Sequence, residues 1–134
     1  MECLFCDLAL GKSQTYKIYE DEHTFAFLDI HPLTKGHTIV IPKNHAKNIL
    51  DLSDNEVAAF FQAIKKIVAH IKEKLRPDGF NIGINMDKMA GQAMDHFHVH
   101  VLPRWQGDGG GSVHSIVSSP PQESLEEIQQ KIKM

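Results

Sequence analysis

Apolar positions recur along the chain with two different periods. Between 54 and 75, Val57, Phe60, Phe61, Ile64, Ile67, Val68, Ile71 and Leu75 follow helical spacing. Ser53 and Glu56 form a capping-box pattern ahead of them, and Arg76-Pro77-Asp78-Gly79 ends the run. The block predicts a long helix with one face in the core. Residues 16–21 and 23–30 are aromatic and β-branched, with Asp21-Glu22 between them, and predict a hairpin. Residues 31–36 carry Pro32 and Gly36 and predict a loop. Residues 37–42 are almost wholly apolar up to Pro42, as in a strand covered on both faces. Residues 80–85 alternate and predict a strand, 86–94 a loop, and 96–103 the last strand.

The ends are shorter or more polar. Residues 3–10 predict a short helix stopped by Gly11. Residues 106–112 are rich in glycine and predict a mobile surface loop. A phosphate cradle there would lack the lysine that follows a P-loop. Residues 120–133 place Leu125, Ile128 and Ile132 on one side of a C-terminal helix that follows two prolines. Hairpins dominate the order of elements. The expected fold is therefore α+β: a five-stranded antiparallel sheet with helices on one face, one long and one short and N-terminal. Residues 1–104 are expected to carry the main domain, and 105–134 a C-terminal extension of it.

With 134 residues and 42% apolar content, the chain suits a single modest core. A formal net charge of −3 disfavours a long nucleic acid as partner, while leaving room for a small anionic ligand in a local site. The start, MECLFC, has no basic region leading an apolar one. No apolar run approaches the roughly 20 residues that span a bilayer. A cytoplasmic location and no membrane partner are expected. There, two cysteines point to metal or redox chemistry before a structural disulfide.

The chemistry concentrates in DHFHVHVLP, residues 95–103. Alternate side chains of a strand point the same way, about 6.6–6.8 Å apart. His96, His98 and His100 thus share one face, and Phe97, Val99 and Val101 the other. Two chemistries suit such a face: a catalytic metal held by the imidazoles, or covalent catalysis by one neutral imidazole whose tautomer is fixed by an acceptor. Cys3-x-x-Cys6 has no strand before it and no βαβ unit after it, which disfavours a thioredoxin-like redox site. The pair suits zinc if the chain supplies two more ligands, with His45 and one of the strand histidines as candidates; simple buried thiols are the alternative.

The stretch GQAMDHFHVHVLPR, residues 91–104, resembles the signature of the histidine triad (HIT) superfamily. FLDIHPLTKGHTIVIPKNH, residues 27–45, resembles the same family's aspartate strand, its Pro-and-Gly loop and its Ile-Pro-Lys-x-His end. Asn85, the Ala90-Gly91-Gln92 turn and Cys3-x-x-Cys6 match as well, the last as in zinc-bearing bacterial-type members. The resemblance implies a HIT-like fold and a nucleotide-binding hydrolase or nucleotidyl transferase. It would act at the α-phosphate of nucleoside phosphoramidates or dinucleoside polyphosphates through a nucleotidyl-histidine intermediate. By that similarity His98 is the nucleophile, with His100 and Gln92 catalytic beside it. Asn85 and Gly91 would contact phosphate and Asp29 the ribose, in a pocket walled by Phe5, Phe27 and Ile30. Structural zinc would be held by Cys3, Cys6, His45 and His96. The resemblance also implies a homodimer.

Two positions depart from the family pattern. Ala93 stands where phosphoramidase-type members often carry a serine that bonds the leaving group, and Asp95 stands where an aromatic or aliphatic residue is usual. Two alternatives stay open at this level: a metal-dependent hydrolase using all three strand histidines, and a non-catalytic nucleotide-binding module.

Overall fold

The computed structural model describes residues 2–134. Its elements are α1 (Leu4–Ala9), β1 (Lys17–Glu20), β2 (Thr24–Leu28), β3 (Thr38–Pro42), α2 (Asp54–Leu75), β4 (Gly79–Gly83), β5 (Val99–Arg104) and α3 (Leu125–Ile132). The strands form one antiparallel sheet in the order β1-β2-β3-β5-β4. The architecture is α+β, as the alternation of elements predicts. Among the described residues no helix is long and apolar enough to cross a membrane.

The hairpin turn between β1 and β2 is made by a side chain. Asp21 Oδ1 accepts from the backbone N–H of His23 and of Thr24, both at 2.8 Å. Helix α2 begins where the capping box places it: Ser53 accepts from the Glu56 N–H, and Glu56 returns the bond to the Ser53 N–H. Its buried stripe of Phe60, Ile64, Ile67 and Ile71 packs on Ala26, Val40, Phe97, Val99 and Val101. Arg76, in the left-handed region at φ 54°, ends it.

One expectation is corrected. The helices do not lie on one face of the sheet. Phe5 and Leu8 of α1 pack with Phe25, Phe27, Ile39 and Ile41, which point away from α2. The reason is visible in β2 and β3: both are apolar at successive positions, so both faces must be shielded from water.

Several boundaries shift for identifiable reasons. β2 stops at Leu28 because Asp29 turns its carboxylate onto the His31 N–H at 2.8 Å. β5 begins at Val99 rather than 96 because the Phe97 N–H bonds to the Ala46 carbonyl and not to a ladder partner. α3 begins after Ser124, which caps the Glu127 N–H, so the two prolines lie outside it. The glycine-rich segment is not an unattached loop. Arg104 donates to Asp108 from Nε at 2.7 Å and from Nη2 at 2.8 Å, and from Nη1 to Asn81 Oδ1 and the Gly111 carbonyl. A Cβ at Gly110 would meet the end of that guanidinium and displace it.

Candidate functional site

The three histidines of the 95–103 stretch keep their alternation but do not converge. Phe97, Val99 and Val101 enter the α2 core. On the other face each imidazole has a different partner.

His96, fully buried, turns Nδ1 toward Cys3 Sγ and Cys6 Sγ, both at 3.4 Å, and Cys6 Sγ also lies 3.4 Å from His45 Nδ1. The four ligand atoms all lie within 4.8 Å of one another. A tetrahedron built on ordinary Zn–S and Zn–N bonds has S···N edges of about 3.6 Å, so the cluster has the dimensions of a closed Cys2His2 site. Burial and the neighbouring Cys3 thiol push the Cys6 thiol up to about 11; a cation between the two sulfurs reverses that penalty. His96 Nε2–H donates to the Pro42 carbonyl at 2.8 Å, which leaves the Nδ1 lone pair facing the sulfurs.

His98 is buried, and its Nδ1–H donates to the His96 carbonyl at 2.8 Å. That bond places the ring proton on Nδ1 and leaves Nε2 with a free lone pair. The Phe5 ring stands edge-on to it, with centroids 5.2 Å apart.

His100 is paired with a histidine that strand periodicity does not single out. The Leu33 N–H donates to His37 Nδ1 at 3.2 Å, so His37 carries its proton on Nε2. That Nε2–H donates to His100 Nδ1 at 2.9 Å. The chain of bonds puts the His100 proton on Nε2, facing out of the sheet as a donor. Asp29 Oδ2 lies 3.6 Å from His37 Nε2. Burial, then the nearby His98 and His37, lower His100 to about 4 from an ordinary 6.5. Burial also lowers His37, against an opposing pull from Asp29. Neutral donors and acceptors, rather than cations, thus surround His98.

The other expected residues divide. Asp29 is partly exposed beside His37, with its second carboxylate oxygen available. Asn85 and Gly91 lie together on the exposed loop, Gly91 at φ 102° and close to the Asn85 amide. Phe27 packs edge-on to Phe5 at 5.5 Å, and Ile30 is exposed. Gln92 is buried, and its amide is fully engaged by backbone: Oε1 accepts from the Asp87 N–H at 2.8 Å, and Nε2 donates to the Lys47 carbonyl at 2.7 Å and the Met94 carbonyl at 2.9 Å.

A partly buried Cys/His cluster, a buried imidazole with its outer nitrogen free, and a second histidine pair make up the face. The family model of the HIT domain matches residues 11–107. The chain belongs to the HIT family. A crystal structure of a HIT family protein from Bacillus anthracis superposes with a TM-score of 0.85 at 39% identity, covering 97% of this chain and 92% of that one. A zinc-bound histidine triad family protein from Mycobacterium smegmatis superposes at 0.76 with 42% identity, covering 81% and 79%. Adenosine 5'-monophosphoramidase hnt1 of Schizosaccharomyces pombe is 36% identical over 137 residues, 99% of this chain and 100% of that relative.

Within this HIT domain, the residues that sequence reasoning missed are His37, Arg104 and Asp108. A signal for His37 was present. Antiparallel register pairs Leu28 with Thr38, so the next residues outward, Asp29 and His37, must meet, and the Asp29 N–H does bond the His37 carbonyl at 2.9 Å.

Proposed function

We propose that the protein transfers a nucleotidyl group from a nucleoside phosphoramidate or dinucleoside polyphosphate to His98 and then to water. The observation that carries this reading is the His98 Nδ1–H bond to the His96 carbonyl. It fixes Nε2 as the free nucleophilic nitrogen without any acid–base partner. The Nε2 lone pair attacks the α-phosphorus. The bond to the leaving group breaks, and its electron pair departs with that group. An amine leaves as the neutral species once its nitrogen has taken a proton from solvent, which the later water step returns, and a phosphate chain leaves as its anion. Water then attacks phosphorus, the P–Nε2 pair returns to His98, and one water proton is released. His100 Nε2–H is placed to donate to a phosphoryl oxygen throughout, which a neutral imidazole does well. Asp29 takes the ribose hydroxyls and Phe5 and Phe27 back the base, with Asn85 and Gly91 at the phosphate.

Zinc, when bound by Cys3, Cys6, His45 and His96, supplies a structural cross-link. A metal held by all three strand histidines has no support: His96 turns Nδ1 to the cysteines and Nε2 to the Pro42 carbonyl, and the three rings form no common ligand cluster among the described residues. The homodimer expected for the family is supported by the free outer edge of β4 and by the exposed rings and side chains of Phe61, Ile82 and Ile84. Sedimentation of the pure protein tests that.

The covalent step is tested by alkaline detergent quench of the enzyme with adenosine phosphoramidate radiolabelled at phosphorus. The wild type is expected to trap label on protein, and His98→Ala to trap none while still binding AMP. Normal turnover by His98→Ala would falsify the assignment.

A further inference from the structure

Helix α1 holds both sulfurs of the Cys/His cluster and the ring that stands against His98. Cys3 caps it, Cys6 lies on its first turn, and Phe5 sits between them in sequence. Phe5 is buried, with its ring 5.2 Å from that of His98 and 5.5 Å from that of Phe27. The other ties of α1 are few. Its buried residues are Phe5 and Leu8, and residues 11–14, which lead on toward β1, are exposed. His45 and His96 belong to the body of the protein and meet α1 through its sulfurs.

The cluster is open on one side. Cys3 and Cys6 are half-buried and His45 is exposed, while His96 is fully buried. A small polar oxidant reaches the sulfurs from the His45 side, and Cys6, 3.4 Å from His45 Nδ1, meets it first. The two sulfurs lie within 4.8 Å of each other, and one helical turn separates their backbones, a span that a disulfide bridges.

We propose that Cys3 and Cys6 are a peroxide-sensitive pair: their oxidation to a disulfide expels zinc, frees α1 and withdraws Phe5 from the nucleoside pocket. The last link rests on the reading that Phe5 and Phe27 back the base. Both sulfurs are thiolates when they bind zinc, and the thiolate is the form that attacks peroxide. Cys6 Sγ attacks one peroxide oxygen. The S–O bond forms, the O–O bond breaks, and hydroxide leaves. Cys3 Sγ then attacks the sulfenic sulfur of Cys6, the S–S bond forms, and a second hydroxide leaves. Each hydroxide takes a proton from solvent, so peroxide is reduced to water as the two thiolates are oxidised to one disulfide. The disulfide offers no anionic sulfur, and His45 and His96 alone are too few ligands to retain zinc. A helix of 6 residues does not persist without tertiary support, so Phe5 loses its fixed position.

The test treats the reduced, zinc-loaded protein with hydrogen peroxide. Zinc release is followed with a metallochromic dye, the Cys3–Cys6 disulfide by mass spectrometry and AMP affinity by calorimetry. Zinc is expected to leave in step with the disulfide, and the Kd for AMP to rise at least tenfold and return with dithiothreitol and zinc. Peroxide is expected to change neither the zinc content nor the AMP affinity of Cys6→His, which offers a ligand but no thiol. Phe5→Ala is expected to release zinc as the wild type does, but to bind AMP weakly before oxidation and no more weakly after it. A protein that takes up or loses no zinc, zinc loss without the disulfide, or an equal loss of AMP affinity in Cys6→His overturns the proposal. So does a disulfide with free zinc and unchanged AMP affinity. Failure of the reduced, zinc-loaded protein to bind AMP overturns the nucleotide reading instead, and zinc release with disulfide formation then judges the oxidisable pair by itself.

Discussion

His96 and His98 are joined through the backbone: the carbonyl oxygen of His96 accepts the Nδ1–H of His98 at 2.8 Å. The imidazole of the same His96 faces Cys3 and Cys6. One residue therefore links a cluster with the dimensions of a zinc site to the ring whose outer nitrogen is free. Whatever anchors the His96 ring also holds the carbonyl that selects the His98 tautomer.

Metal content follows from that link. The wild type is expected to carry about one zinc per chain by elemental analysis, and Cys6→Ser or His96→Ala much less. Loss of a structural metal is a large perturbation in a domain of this size, so the thermal midpoint of Cys6→Ser is expected to fall by roughly 5–10 °C or more. A Cys6→Ser protein with full zinc and an unshifted midpoint would remove the cluster from the account.

Replacing His37 by Phe removes the donor that orients His100. The variant is expected to lose on the order of 10–100-fold in kcat/KM, as outer partners of a functional imidazole generally do. His37→Asn, which keeps a donor, is expected to recover part of that loss. Wild-type kinetics in His37→Phe would show that the 2.9 Å pair is incidental.

Acid acts on the same pair. His100 titrates near 4 when folded and near 6.5 when unfolded. Between those values the unfolded chain binds a proton that the folded chain refuses. The contribution of His100 to stability is therefore complete above pH 6.5 and is lost as pH falls toward 4. His37 and His96 are lowered in the same direction. Urea midpoints measured from pH 7.5 to 4.5 are expected to fall steadily, and the His100 ring signals to keep their neutral shifts at pH 5.5. A His100 midpoint near 6.5 in the folded protein would contradict the pairing.

Gln92→Ala separates two roles for that side chain. Its amide ties Asp87, Lys47 and Met94 together inside the protein. Removal strands an N–H and two carbonyls, at about 1–3 kcal/mol for each buried group that water cannot reach. Chemical denaturation is expected to show a loss of roughly 2–4 kcal/mol. Wild-type stability with lost turnover would return Gln92 to the phosphate.

The parts of the fold that the sequence announces are those governed by neighbours in the chain. α2 is readable because Ser53, Glu56 and the apolar stripe lie within one local pattern. The covering of both faces of β3 is readable from its unbroken apolar run. Other features depend on which strand lies beside which. His37 meets His100 only because β3 pairs with β5, at Ile39 opposite His100. Gln92 reaches Lys47 across forty-five positions, and a side-chain amide bonding to backbone leaves no periodic trace. Arg104 and Asp108 stand four apart outside any helix, where spacing alone does not mark a clasp. The placement of α1 on the far face follows from Phe5 and Leu8 alone, too short a pattern to state a direction.

The Cys3 sulfur also accepts the Cys6 N–H at 3.4 Å and so begins α1. Its other partner, the His96 ring, is ninety-three positions away. Closing so long a loop carries an entropic cost that only a formed sheet can offset. The α1 segment is thus among the last to find its place, and the Phe5 ring arrives beside His98 only when the sheet has formed.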